Sequence, residues 1–396
     1  MTPSWPPQPG QCDGGDAAAW SDASPSPSPS PSPSQWQSQS QSQSQSQSQS
    51  QSQSQSQSQS QSQANLQEAD QGQFGSASPS QSQSSSQGQP TAPAPRPPAA
   101  LQPAACRLSV RHETRYDYDT AVEVAHHSAW LRPRDTALQQ VAHWRLTISP
   151  QPPDAVQESR DAFGNWRHGF SHAQVHDTLT VTSTFQATLQ APPALDLGLS
   201  PPWEVVVQAL RYRAGVSQPE AVAFMLASHF SPVDALLADF ARPQFTPGRP
   251  LLQVAQGLMQ QIYRDMLFKP QATDVATNAL QALAKGQGVC QDFAHLMIGA
   301  MRSWGLAARY VSGYLLTQPP PGQPRLVGAD ASHAWVQVWC PLHGWIALDP
   351  TNDVLVAQDH VTLAWGRDYA DVAPLRGVIR GGGAAPPEVA VTVAPI

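Results

Sequence analysis

Apolar and polar residues change period partway along this chain, and the change divides it. Between Cys106 and Leu189 the segments "RLSVRHETRYDY", "AHWRLTISP" and "TLTVTSTFQATL" alternate or concentrate β-branched and aromatic residues, which predicts strands. "DAFGN", Asp161 to Asn165, reads as a tight turn between two of them. "APPALDLGLSPPW" then interrupts the pattern with four prolines, a natural domain boundary.

From Glu204 onward apolar residues recur at three and four, as in "VDALLADFA" and "LLQVAQGLMQQIYRDM", which predicts helices. Ser231 followed by Pro232 is read as a helix start, with Asp234 in the first turn. "GVCQDFAHLMIGA" is next, and there Phe293, Ala294, Leu296, Met297, Ile298, Ala300, Met301 and Trp304 cover most of a helix surface. A helix apolar all round is a central, buried one. "ARYVSGYLL", "HAWVQVWC" and "WIALDPT" follow as successive strands of an antiparallel sheet. The fold class expected is α+β: a β-rich N-terminal domain, then a core in which a central helix packs on an antiparallel sheet.

Composition removes a quarter of the 396 residues from this picture. Ser and Pro alternate from Ser24 to Ser34, and Gln35 to Gln63 is almost pure Gln-Ser, broken only by Trp36. Such a stretch has too little apolar surface to offset its ordering entropy, so residues 1–104 are expected to be a disordered tail. The remaining divisions are 105–192 for the β-rich domain, 200–355 for the core with a helical lead-in over 203–285, and 356–396 for a C-terminal extension packing on that core. The net charge of -7 and the lack of a basic groove or stripe argue against a nucleic-acid partner. No apolar run is long enough to cross a bilayer, and the first residues lack a basic, apolar leader; a cytoplasmic protein without a membrane partner is expected.

Four cysteines at irregular spacing, Cys12, Cys106, Cys290 and Cys340, form no CxxC pair and no zinc pattern, and a reducing cytoplasm would keep them as thiols. Cys290 differs from the rest in its position. Gly286 and Gly288 free the approaching backbone, so it falls in the first turn of the buried helix, where orphan N–H groups and the helix dipole favour a thiolate. The same N–H groups could stabilise an oxyanion on an attacked carbonyl. A lone buried cysteine more often fills space; the residues downstream change that balance. Acyl transfer by a thiolate needs an imidazole to carry a proton and a third group to orient the ring. His333 opens one predicted strand and Asp349 closes the next. In a hairpin they would face each other if the turn is centred at residue 341, which is proline, a residue suited to a turn and not to a ladder. Among competing groups, His295 lies inside the helix five positions past the thiol and is read as packed; His343 sits in the turn; His126 and His127 have no acidic partner at metal spacing; Cys340 has no base of its own.

Three motifs, "GVCQDFAHLMIGAMRSWGLAARYVSGYL", "DASHAWVQVWCPLHGWIALDPTND" and "GRDYADVAPLRG", resemble the bacterial transglutaminase-like proteins, a branch of the transglutaminase superfamily with a papain-like core. "LSVRHETRYDY" and "DAFGNW" resemble the N-terminal domain that accompanies that core. The resemblance spans roughly residues 106–385 and implies a nucleophile at Cys290, a base at His333 and an orienting acid at Asp349. It implies a protein or peptide substrate, with an amine acceptor for transamidation or water for hydrolysis, so a peptidase or amidase stands as the alternative reaction. No cofactor or metal is implied, and no run of oxygen ligands has calcium-loop spacing. A binding module that kept the fold without catalysis is the other class. Iodoacetamide separates the two, because an activated Cys290 reacts far faster near neutral pH than Cys106 or Cys340.

Overall fold

The computed structural model describes residues 105–212, 214, 220–317, 332–383 and 385–396; the tail expected over 1–104 lies outside the described residues. The N-terminal strands are β1 (Cys106–Ala129), β2 (Gln139–Ser149), β3 (Gln157–Arg160), β4 (Trp166–His172) and β5 (His176–Leu189). They lie in the order β2-β5-β1-β4-β3 in one sheet. The predicted turn joins β3 to β4: Asp161 Oδ1 accepts the N–H groups of Phe163 at 2.9 Å and Asn165 at 2.8 Å, and Gly164 takes φ +74, a left-handed backbone that favours glycine.

Helices follow: α1 (Trp203–Leu210), α2 (Ala235–Ala241), α3 (Leu251–Asp265), α4 (Ala279–Lys285) and α5 (Cys290–Ser303), with a short two-strand contact between β6 (Leu267–Phe268) and β7 (Gln287–Gly288). The helix expected to start at Ser231-Pro232 begins instead at Ala235. Asp234 is its cap and not a first-turn residue, with its carboxylate accepting the Leu236 N–H. The carboxylate can reach an orphan N–H only from outside the helix, which is why the side chain favours the cap.

The core sheet has the order β11-β10-β9-β8-β12, formed by β8 (Ala308–Leu315), β9 (Ser332–Cys340), β10 (Gly344–Asp349), β11 (Val354–Leu355) and β12 (His360–Gly366). The helix α5 lies against β8 and β9, with α2, α3 and α4 packed around it. Every residue from Cys290 to Arg302 is buried, as the all-round apolar pattern demands. One apolar core runs from Leu108, Val110 and Phe185 of the N-terminal sheet through α3 and α5 to β9 and β12. Among the described residues no helix is long and apolar enough to cross a membrane.

The C-terminal segment does not pack on the core as one extension. Strand β12 and the helix α6 (Tyr369–Val372) belong with the core, but β13 (Leu375–Gly381) and β14 (Glu388–Pro395) return to the N-terminal sheet and pair with β1. Residues Leu108 to Arg115 of β1 pair β5 on one side and β14 on the other. Without β14 that stretch would present a row of unpaired backbone groups, a cost that strand addition removes.

Candidate active site

The "GVCQD" segment positions the thiol through its neighbours. Gly286 ends α4 at φ +63 and its N–H donates to the carbonyls of Ala282 and Leu283. Two residues on, a Cβ at Gly288 would lie 2.6 Å from Asp292 Oδ2, so only glycine lets the Asp292 side chain fold back over the entry to α5. There Asp292 Oδ2 accepts the Val289 N–H at 2.8 Å and the Thr273 hydroxyl at 2.5 Å. Burial pushes the Asp292 carboxyl up to about 6, against the pull of those two hydrogen bonds. Cys290 is the first residue of the helix and 2% exposed, among the orphan N–H groups of the first turn.

The sheet brings the other two predicted residues to it. His333 lies in β9, 4% exposed, and Asp349 ends β10, fully buried. His333 Nε2 donates to Asp349 Oδ2 at 2.7 Å, and the ring also hydrogen-bonds Cys290. Since Nε2 is committed to the acid, Nδ1 is the nitrogen left for the thiol. Burial alone would lower the His333 pKa, but the Asp349 charge and hydrogen bond, with Cys290 adding to them, lift it to about 10. Burial likewise acts to raise Asp349, and the His333 charge together with the His333 and His360 hydrogen bonds hold it well below the usual carboxylate range.

The hairpin register differs from the Pro341-centred expectation. Cys340 pairs Gly344 and Val336 pairs Leu348, which centres the turn on residue 342 and makes His333 and Asp349 diagonal rather than directly opposed. The reason is Gly344, whose φ of +72 supplies the left-handed residue that closes a three-residue loop. Because the shift moves the pairing by two, side-chain parity is kept and both groups remain on one face, within diagonal reach.

Residues that sequence reasoning passed over complete the site. Asp349 Oδ2 also accepts from Asn352 Nδ2 at 2.7 Å and from His360 Nε2 at 3.1 Å, and Oδ1 accepts the Thr351 N–H at 2.9 Å. Asp359 Oδ1 accepts from His360 Nδ1 at 2.6 Å. Asp349, Thr351 and Asn352 fall within the short "DPTND" stretch, a signal for a carboxylate that binds its own loop; His360, in the segment expected as a C-terminal extension, carries no such signal. The ligand atoms of His333, Asp349 and His360 lie close enough to share an ion, yet three N–H donors already converge on Asp349 Oδ2, so the cluster reads as a hydrogen-bonded chain and not as a ligand set. His295 is packed as expected, stacked on Phe230 and accepting the Tyr369 N–H at 3.1 Å. Cys340 is buried at the end of β9, and Cys106 is half-buried at the start of β1.

A thiol at the head of a buried helix, facing a histidine and an acid presented by an antiparallel sheet, is the layout of a cysteine-enzyme core. Residues 108–188 match the bacterial transglutaminase-like N-terminal region and residues 238–350 match the transglutaminase-like superfamily. An uncharacterized protein of Mycobacterium tuberculosis is 40% identical over 280 residues, 69% of this chain and 87% of that protein. A protein-glutamine gamma-glutamyltransferase of Pseudomonas aeruginosa is 40% identical over 95 residues, 22% of this chain and 14% of that protein. A solved structure described provisionally as a cysteine protease, from Cytophaga hutchinsonii, shares the fold with a TM-score of 0.59 at 19% identity, covering 75% of this chain and 92% of that one. The chain belongs to the bacterial transglutaminase-like proteins, with their N-terminal region and their core.

Proposed function

We propose that this transglutaminase-like protein is a cysteine acyl-transfer enzyme in which Cys290 is the nucleophile, His333 the proton carrier and Asp349 the orienting acid. The observation that carries the reading is the unbroken hydrogen-bonded line from Cys290 through His333 to Asp349 at the head of a buried helix. The Cys290 thiolate attacks the carbonyl carbon of a peptide or side-chain carboxamide. First-turn N–H groups receive the oxyanion. His333, held as imidazolium by Asp349, gives its Nδ1 proton to the departing nitrogen, and collapse leaves a thioester on Sγ. A primary amine or water then gives up a proton to the same nitrogen and attacks the thioester; collapse returns the thiolate and a new amide or a carboxylic acid.

The local similarity to a protein-glutamine gamma-glutamyltransferase supports a carboxamide donor and an amine acceptor. Hydrolysis proceeds through the same thioester with water in place of the amine. Incubation with p-nitrophenyl acetate, an activated acyl donor that needs little recognition, should add one acetyl group to Cys290, seen by intact mass and lost with hydroxylamine. Glutamine peptides supplied with a fluorescent primary amine then separate transfer from hydrolysis. Acetylation that is absent, or equal in Cys290→Ala, rules out the nucleophile.

A further inference from the structure

His360 is placed to do more than fill the core behind Asp349. It opens β12, the edge strand of the core sheet, and is 3% exposed. Its two ring nitrogens each meet a carboxylate: Nε2 lies 3.1 Å from Asp349 Oδ2 and Nδ1 lies 2.6 Å from Asp359 Oδ1. A neutral imidazole carries one N–H and would turn a lone pair on one of those oxygens. With both carboxylates ionised, the two contacts are satisfied together only when the ring carries two protons, so the geometry points to a buried cation on the far side of Asp349 from the thiol–imidazole pair. Among its other neighbours the His333 ring is the one that can carry a like charge. Trp335 stands edge-on to the ring at 5.3 Å between centroids, and His333 lies at 6.0 Å; Asn352 meets the same Asp349 oxygen.

We infer that His360, clamped as an imidazolium between Asp349 and Asp359, is a positioning residue that fixes the Asp349 carboxylate and restrains the basicity of His333, extending the proposed triad to an alternating line of five groups from Cys290 to Asp359. The inference rests on the triad reading. Its physical content is competition: Asp349 shares its charge between two rings, and the His360 charge repels a second proton on His333. The upward direction of the His360 pKa, where burial is opposed by hydrogen bonds to Asp349 and Asp359, agrees with it.

Two substitutions separate charge from hydrogen bond. Glutamine can present its amide where Nε2 stood, so His360→Gln keeps a donor for Asp349 and loses the cation. Leucine loses both. The rate of Cys290 alkylation by iodoacetate, an anion drawn to the His333 imidazolium, is followed against pH by mass spectrometry. In His360→Gln the alkaline limb should move up by about two units, as removal of a like charge at this range requires at an effective dielectric constant near 20. In His360→Leu kcat should fall by roughly 10–100-fold at little-changed KM, the usual scale for losing an orienting partner. In the unmodified protein labelled with ¹⁵N-histidine, both His360 nitrogens should be protonated at pH 8, a readout independent of activity and of how the variants fold. A His360 with one bare nitrogen at pH 8, or a His360→Gln limb that coincides with wild type, overturns the inference. A wild-type Cys290 that alkylates no faster than Cys340 instead overturns the triad reading beneath it.

Discussion

Replacing Asp349 by asparagine changes one atom and removes the charge on which the His333 imidazolium depends. At a charge separation of about 4 Å and an effective dielectric constant near 20, the lost attraction is on the order of 4 kcal/mol, or about three pH units. His333 stands at about 10 against an ordinary 6.5, so most of its elevation goes, and burial draws the ring back to neutral near physiological pH. The sign follows from linkage. The raised His333 pKa contributes stability that is complete below the ordinary 6.5 and is lost as pH climbs through about 10. The depressed Asp349 pKa contributes stability present above the ordinary carboxylate range and lost as acid protonates it. In Asp349→Asn the Asp349 contribution vanishes and most of the His333 contribution goes with it, so the variant is weakened across neutral pH and its stability varies less with pH. The amide oxygen can stay with the three donors now on Oδ2, but its NH2 then faces the Thr351 N–H. Unfolding in urea at pH 7 should therefore show a loss approaching the roughly 3–5 kcal/mol of a broken buried pair. Turnover should drop by roughly 10²–10⁴, and the alkaline limb of iodoacetate labelling should fall by about three units. Asp349→Ala should be worse still, because it strands four donors and not one. An asparagine variant with wild-type turnover and an unmoved alkaline limb would refute the pairing as the source of the imidazolium.

Cys290→Ala should abolish thioester formation while costing only about 1 kcal/mol of stability, checked by intact mass and urea unfolding; a much larger loss would mark the thiol as a packing residue. Gly313→Ala places a Cβ 2.2 Å from the Val361 carbonyl and 2.3 Å from the Trp335 ring, beside the pairing of Gly313 with His333. It should destabilise by about 1–3 kcal/mol and lower turnover, and a neutral outcome in both assays would show that β8 and β12 can part cheaply. Asn165→Ala strands the N–H and carbonyl of Trp365, which the Asn165 amide meets at 3.0 and 2.8 Å. A loss of about 1–3 kcal/mol is expected, and less than 0.5 would mean that water replaces the amide.

Periodicity and turn chemistry carried most of this fold into the sequence. The buried helix was legible because its apolar residues cover every face, and the strands because β-branched and aromatic residues concentrate between breakers. Cys290, His333 and Asp349 were legible as a set because a thiol in a first turn and two strand ends obey different local rules that converge in space. The hairpin register was misjudged by two because Pro341 marks a turn without fixing its centre, which the positive φ of Gly344 decides. The return of β13 and β14 to the first sheet was hidden for another reason. It depends on which edge of β1 is left open, a tertiary fact that no local period encodes. His360 escaped for the same cause, since its partner Asp349 is eleven residues away on a strand that β12 does not touch in the sheet order.

The edge position of β12 gives the N-terminal sheet a strand to hold. Strand β12 pairs β8 on one side, and its other side would present bare backbone. Two side-chain amides from the N-terminal domain take the place of a further strand there. Gln139 donates from Nε2 to the Thr362 carbonyl and accepts the Thr362 N–H, both at 2.8 Å, and Asn165 makes the same double contact with Trp365. Both amides are buried, so each double contact is formed where water cannot substitute cheaply. The strand held in this way is the one that begins with His360, whose ring reaches Asp349. A displacement of β12 outward by even a fraction of a hydrogen-bond length would lengthen the 3.1 Å contact before it disturbed His333. The N-terminal sheet thereby braces the strand that carries His360, beside the Asp349 end of the proposed hydrogen-bonded line.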